Sequence, residues 1–374
     1  YVVAYAGDLT SEVASVGNTT AAAPVPTEAD YYREYLDGGN ITLGDLTISK
    51  AAYPEAQLLK PSELTAAIIT AGGLIFVDNS DAADLSFTIA GTSINMGDIV
   101  LIGRYPEREQ ATISGPELRC KYNAAFKNLH IAASGNYNLF TTTNATYDPT
   151  LHVEDCTVDA TYNVVYDSHN TQNFKKIYFG NSIVKMTVAN KPFYSTKVKE
   201  KEHTQQLIRL DNNVFYAETP LQNYLINCGD RSQAFQTTRL QIEVTNNTLY
   251  NIYQPNIMIR AYVLAGLTVT KNVGYYTGVT AKNYLTGVYD TAGFTADKAE
   301  VTYNYLYTTP VTDANFWSAK HTGSYTPVNN QMGEGVEAPF SSMDAAKGYF
   351  PINTSVVTTG AGAVYDTKKW FKAE

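Results

Sequence analysis

Six short segments of this chain repeat one pattern, and no other feature limits the fold as strongly. They are Val153-Glu-Asp-Cys-Thr-Val158, Phe179-Gly-Asn-Ser-Ile-Val184, Leu210-Asp-Asn-Asn-Val-Phe215, Val244-Thr-Asn-Asn-Thr-Leu249, Val269-Thr-Lys-Asn-Val-Gly274 and Val301-Thr-Tyr-Asn-Tyr-Leu306. Each has an apolar strand end, a polar turn and the start of another apolar run. Their turn residues are Cys156, Ser182, Asn213, Asn247, Asn272 and Asn304, with Asn128 a looser earlier member; the spacings are 28, 26, 31, 34, 25 and 32 residues. A period of this size is the signature of a solenoid.

A second column keeps the same period. Asn138-Leu-Phe140, Asn163-Val-Val165, Pro192-Phe-Tyr194, Asn223-Tyr-Leu225, Asn256-Ile-Met258 and Asn283-Tyr-Leu285 recur at spacings of 25, 29, 31, 33 and 27 residues. Two columns locked together imply at least two strands per coil with a polar turn between them. Equivalent strands recur once per turn and must therefore run parallel, the rest of each coil serving as the crossover. The expectation is an all-β parallel β-helix of about eight or nine coils, spaced about 4.8 Å apart. Asparagines stacked at one turn bond to one another and to turn backbone, so these columns are ladders rather than ligands.

Composition agrees. Only 17% of residues are charged while Tyr occurs 29 times, which suits many strands with aromatic faces. A net charge of −9 argues against nucleic acid or an anionic membrane surface as partner. No run of 18 apolar residues appears, so no spanning helix is expected. Cys120, Cys156 and Cys228 have no metal-like spacing and read as buried free thiols, with a disulfide the alternative. Nothing resembles a phosphate-binding loop, a zinc site or a Gly-x-Ser-x-Gly motif, so no cofactor or metal is called for. The chain opens on Tyr1, and an export signal or lipid anchor is expected upstream.

Residues 1–22 stand apart from the repeat. Tyr1-Val-Val-Ala-Tyr-Ala6 and Ser11-Glu-Val-Ala-Ser-Val16 read as a hairpin, and residues 23–60 read as a linker. Ser62–Thr70 reads as a short helix between Pro61 and Gly72-Gly73, suited to cap the open end of a solenoid. Strands follow at Leu74–Val77, Leu85–Ile89, Ile99–Ile102 and Ala111–Ile113. The helical stack is placed over 61–337 and a C-terminal cap over 338–374, packed by Trp317 and Trp370.

The hairpin resembles the last two strands of a fibronectin type III domain. The rest, on the residues Leu64, Ala67-Ile68, Gly73-Leu-Ile-Phe-Val77, Leu101-Ile-Gly103, Ile113-Ser-Gly115 and the ending Ala338–Phe350, resembles the pectin-lyase-like right-handed parallel β-helix superfamily. More narrowly it is similar to surface proteins of gut bacteria that carry such a helix behind a fibronectin-like module. That resemblance implies an extracellular or cell-surface protein, a monomer, in a setting of glycan capture and breakdown.

Register then names candidate site residues. The third residue before each turn position is apolar and faces inward. The fourth (His152, Tyr178, Arg209, Glu243, Thr268, Glu300) and the second (Glu154, Gly180, Asp211, Thr245, Thr270, Thr302) face out. Three readings stay open for this face. The residues are a solvated surface in which Arg209, Glu243 and Asp211 pair across coils. Alternatively they line a polysaccharide groove, with Tyr178 stacking on sugar and Glu154, Arg209 and Asp211 bonding hydroxyls, flanked by His203 and Arg231 on long polar loops. Or they are catalytic. Asp211 and Glu243 stand at about the separation of an inverting hydrolase, and Arg209 with His152 could be written into a lyase. The Asn-x-Asp, Asp-Asp, Gly-His-Gly and Arg-x-Lys motifs that the resemblance implies for hydrolases are not found together. The expectation is therefore a non-catalytic polysaccharide-binding protein; the alternatives are a divergent lyase or hydrolase, and an adhesive scaffold.

Overall fold

The structure is a computed structural model. It describes residues 5–6, 9–10, 28–143, 148–167, 173–196, 205–228, 240–254, 257–261, 264–277, 284–288, 295–309, 315–317, 325–332 and 361–363. The chain is an all-β parallel β-helix built from three sheets of ten, ten and nine strands. Among the described residues this makes nine complete coils of three strands each. The first sheet runs from Ala56–Leu59 and Gly73–Val77 through Thr150–Glu154, Lys176–Gly180, Leu207–Asp211 and Leu240–Thr245 to Ala299–Thr302. The second begins at Ser86–Thr88 and the third at Ser93–Met96, and every neighbouring pair within the three sheets is parallel.

The inward column of the first sheet is as the period requires. Val153, Phe179, Leu210, Val244, Val269 and Val301 are fully buried. Phenylalanines from different sheets continue the core along the axis, with ring centroids 5.3 Å apart for Phe126–Phe140, 4.8 Å for Phe179–Phe193 and 5.1 Å for Phe193–Phe215.

Between the first and second sheets the chain turns through one left-handed residue per coil. These are Asn128, Asp155, Asn181, Asn212, Asn246, Lys271, Tyr303 and Asn329, with φ between 46° and 58°. Asn and Asp tolerate that conformation better than other side chains. The ladder residue comes next. Each amide nitrogen of Asn213, Asn247, Asn272 and Asn304 donates to the following rung at 2.9–3.0 Å and to a strand carbonyl at 2.8 Å. Asn330 closes the series, a rung that the sequence reading did not include. Asn128, expected as an early rung, occupies the left-handed position one residue ahead of the ladder and bonds the carbonyls of Gly103 and Tyr105.

The expected capping helix is present, as a 3₁₀ turn Pro61–Glu63 and an α-helix Ala66–Ala71. Thr65 caps its start by accepting from Ile68 N–H, and Gly72 ends it with φ +80°. Leu64 and Ile69 enter the core and cover the first coil.

Two segments differ from the reading. Residues 23–60 were expected to be linker, but from Asp30 onward they are folded. A helix Tyr31–Leu36 and a hairpin Ile41–Leu43/Leu46–Ile48 pack on the outer face of the first sheet against Leu74, Phe76, Val100, Ile102 and Ala125. Arg104 pins the helix through Asp30 at 2.8 Å and Asp78 at 3.3 Å, with the Tyr105 ring 4.6 Å away. The physical reason lies in the first strands, which are apolar on both faces and need a cover outside as well as a core inside.

The C-terminal segment also departs from an end cap where it is described. Ala361 and Ala363 lie against the outer face of the second sheet with Val214, Tyr250, Val273 and Tyr305. Gly362 N–H donates to Lys271 O and Ala363 N–H to Thr248 Oγ1. Trp317 belongs to the last strand of the third sheet and is buried against Tyr325. At the other end Tyr5–Ala6 pairs antiparallel with Leu9–Thr10; Ser11–Val16 and Trp370 lie outside the described residues. Among the described residues no helix is long and apolar enough to cross a membrane.

Candidate functional site

The outward columns of the first sheet fall in the expected register. His152, Tyr178, Arg209, Glu243, Thr268 and Glu300 are cross-strand neighbours in turn, as are Glu154, Gly180, Asp211, Thr245, Thr270 and Thr302. What the register could not show is that the N-terminal hairpin lies on part of this face. Its turn sits over the fourth and fifth coils. Gly44 N–H donates to Glu154 Oε2 at 2.6 Å, His152 Nε2 lies 2.9 Å from Asp45 Oδ1, and Lys176 Nζ donates to Asp45 Oδ2 at 2.7 Å. His152 is 5% and Glu154 9% exposed. Burial depresses the His152 pKa, more than the neighbouring Asp45 raises it.

Tyr178 is held between two glycines. A side chain on Gly44 would stand 2.8 Å from its ring, and one on Gly180 would overlap its hydroxyl. Burial raises its pKa, keeping it a neutral phenol. His152, Glu154 and Tyr178 are thus docking residues for the hairpin, closed to a ligand in this arrangement.

Farther along, Arg209 Nε donates to Glu243 Oε2 at 2.5 Å, and Asp211 accepts from Thr245 Oγ1 at 2.5 Å and Asn246 Nδ2 at 3.3 Å. Each of the two candidate catalytic carboxylates is therefore engaged by a neighbour on its own sheet or turn. This is the cross-coil pairing of a solvated face, and such a pair contributes about 0–1 kcal/mol. His203 and Arg231 lie outside the described residues. Among the described residues no three His, Cys, Asp or Glu side chains converge as a metal site would need.

An open, ligand-sized feature lies on another face. Outside the third sheet a cavity of about 410 Å³ is lined by Asn138, Tyr162, Asn163, Tyr166, Asn190, Lys191, Pro192, Ser195, Tyr224 and Asn227. That volume falls in the range of small-molecule sites. Tyr166, Ser195 and Asn227 are successive outward residues of three adjacent strands. The others come from turns leading into those strands and, for Asn138, into the preceding strand Phe140–Thr142. Lys191 Nζ lies 3.6 Å from the Tyr162 ring centroid, a cation–π contact, and Asn163 Nδ2 donates to Asn138 Oδ1 at 2.7 Å. The next position of that amide column is Pro192, which has no amide to continue it. Three tyrosines, four asparagines, one serine and one lysine line the cavity, and no carboxylate does.

The sequence reading placed Asn138, Asn163 and Asn223 in the second ladder but did not draw a site from them. The usable signal was Tyr162-Asn163 and Asn223-Tyr224, a tyrosine beside each of two rungs. A second cavity, of about 590 Å³, lies between the N-terminal helix and the strand Ala56–Leu59, with Tyr32, Tyr35, Leu36 and Lys50 in its wall.

No protein-family model matches the chain, and no curated protein does either.

Proposed function

We propose that this protein is a non-catalytic carbohydrate-binding β-helix and that the third-sheet cavity receives the sugar. The observation that carries the reading is the lining of that cavity. Tyrosine rings offer flat apolar faces for the C–H surface of a sugar while their hydroxyls stay wet. Asn and Ser supply both donors and acceptors, as ring hydroxyls require. Lys191 adds the single charge. The reading keeps the class expected from sequence, a polysaccharide partner at a cell surface, and moves its site from the first sheet to the third.

The test is a panel of polysaccharides in affinity gels, with product analysis alongside. Retardation without turnover is expected, weakened about 30-fold by Tyr162→Ala or Tyr224→Ala, the effect of losing one aromatic anchor. Tyr178→Ala should leave retardation unchanged. Release of unsaturated or reducing-end sugar would replace the binder reading with a lyase or hydrolase. Neither retardation nor release would leave a scaffold.

A further inference from the structure

Lys127 ends the first-sheet strand Ala124–Lys127 and points outward beneath the N-terminal cover. Its side chain is only 6% exposed. Nζ lies 2.6 Å from Asp155 Oδ2 and 3.1 Å from Glu154 Oε1, both on the following coil. The Tyr31 ring stands 5.6 Å from the ammonium, and Gly44 N–H occupies the other oxygen of Glu154. Balancing one lysine takes one carboxylate, yet two meet it, with side chains 12% and 17% exposed. A buried amine, a carboxyl within reach of it and a second carboxyl beside both are the parts of an amide-forming site.

We propose that Lys127 Nζ and the Asp155 side-chain carboxyl condense, once the β-helix has folded, into an amide that staples the third coil to the fourth. The first step moves a proton along the 2.6 Å hydrogen bond from the Lys127 ammonium to Asp155, leaving amine and carboxylic acid. The Nζ lone pair then attacks Asp155 Cγ, forming the C–N bond and pushing the carbonyl pair onto oxygen. Glu154 takes a proton from Nζ and returns it to the departing hydroxyl, so the C–O bond breaks and water leaves. One ammonium and one carboxylate become one amide and one water, Glu154 is restored, and no oxidant or other reactant is needed.

Burial works against the Lys127 charge, but the Asp155 and Glu154 carboxylates outweigh it and raise the pKa. The neutral amine is therefore a minor form. The burial of Lys127 narrows that gap, because the neutral amine escapes the desolvation that the ammonium suffers. Held groups also react as though at about 10⁵–10⁸ M, and this reaction need happen only once per molecule.

Intact mass spectrometry of the folded full chain decides the matter, whatever the chain binds. The expected mass is one water below the sequence mass, with a proteolytic fragment joining the peptide of Lys127 to that of Asp155. Lys127→Arg keeps the charge but not the nucleophile, and its mass should be the full sequence mass, with folding checked by circular dichroism. A wild-type protein at full sequence mass overturns the proposal. So does water loss that persists in Lys127→Arg, or a linkage mapped to other residues.

Discussion

One carboxylate oxygen of Asp45 stands 2.9 Å from His152 Nε2 while the other holds Lys176 Nζ at 2.7 Å. A single residue of the hairpin thus fastens it to two coils. Burial raises the Asp45 pKa, but hydrogen bonds from Lys176 and His152 overcome this and bring it down to about 2. The His152 pKa is also lowered, there by burial. Both folded values lie below the unfolded ones, so both groups stabilise the fold at high pH and lose that contribution as pH falls. The His152 part goes below about pH 6.5, and the Asp45 part between about pH 4 and 2. Asp45 is 46% exposed, so after solvent screening its part amounts to about 1 kcal/mol. Asp45→Asn should flatten urea-midpoint-versus-pH curves over the lower window and steepen the upper one, because His152 then loses the carboxylate that partly offsets its burial. An unchanged acid slope between about pH 4 and 2 would remove Asp45 from the account.

The ladder makes a sharper prediction. Asn247 is fully buried, donates to Leu210 O and Asn272 Oδ1, and accepts from Asn213 N–H and Nδ2. Alanine there strands several buried polar groups and should cost about 3 kcal/mol. Aspartate, nearly the same shape, cannot donate and should cost as much at neutral pH. Asn330, half-buried at the end of the series, should cost less when changed to alanine. Urea denaturation of the three variants reports the order, and a tolerated Asn247→Asp would contradict it.

Cys120, Cys156 and Cys228 are free and buried, as read from their spacing. Burial pushes the Cys120 thiol pKa up, away from thiolate chemistry. A maleimide should label none of the three in the native protein and all three in denaturant. Labelling of any one under native conditions would show that its coil opens.

The repeat was legible because stacking forces one residue type into one place, turn after turn. Val153, Phe179, Leu210 and Val244 could be set inward, and Arg209 beside Glu243, from spacing alone. The N-terminal cover was missed although Leu74-Ile-Phe-Val77 and Ile99-Val-Leu-Ile102 announced it. Apolar on both faces, they cannot stand at a surface. The candidate cavity was harder to see. Tyr162, Tyr166 and Tyr224 sit at different offsets from the turns and come together only when three coils are stacked, so no single column of the sequence holds them.

Gly44 and Tyr178 should prove energetically coupled although 134 residues separate them in sequence. Gly44 has φ +57°, which costs any other ordinary residue about 1 kcal/mol. A methyl group there would also meet ring atoms of Tyr178 at 2.8–2.9 Å, and the ring cannot retreat because it already fills the space above Gly180. Gly44→Ala should therefore cost about 2–3 kcal/mol, backbone strain and overpacking together. Tyr178→Leu in the same chain removes the overpacking but not the strain. The double variant should thus be more stable than the sum of the singles by about 1 kcal/mol, read as the coupling term of a double-mutant cycle in urea. Additive costs would mean that the hairpin turn does not rest on Tyr178, and would reopen that ring to a ligand.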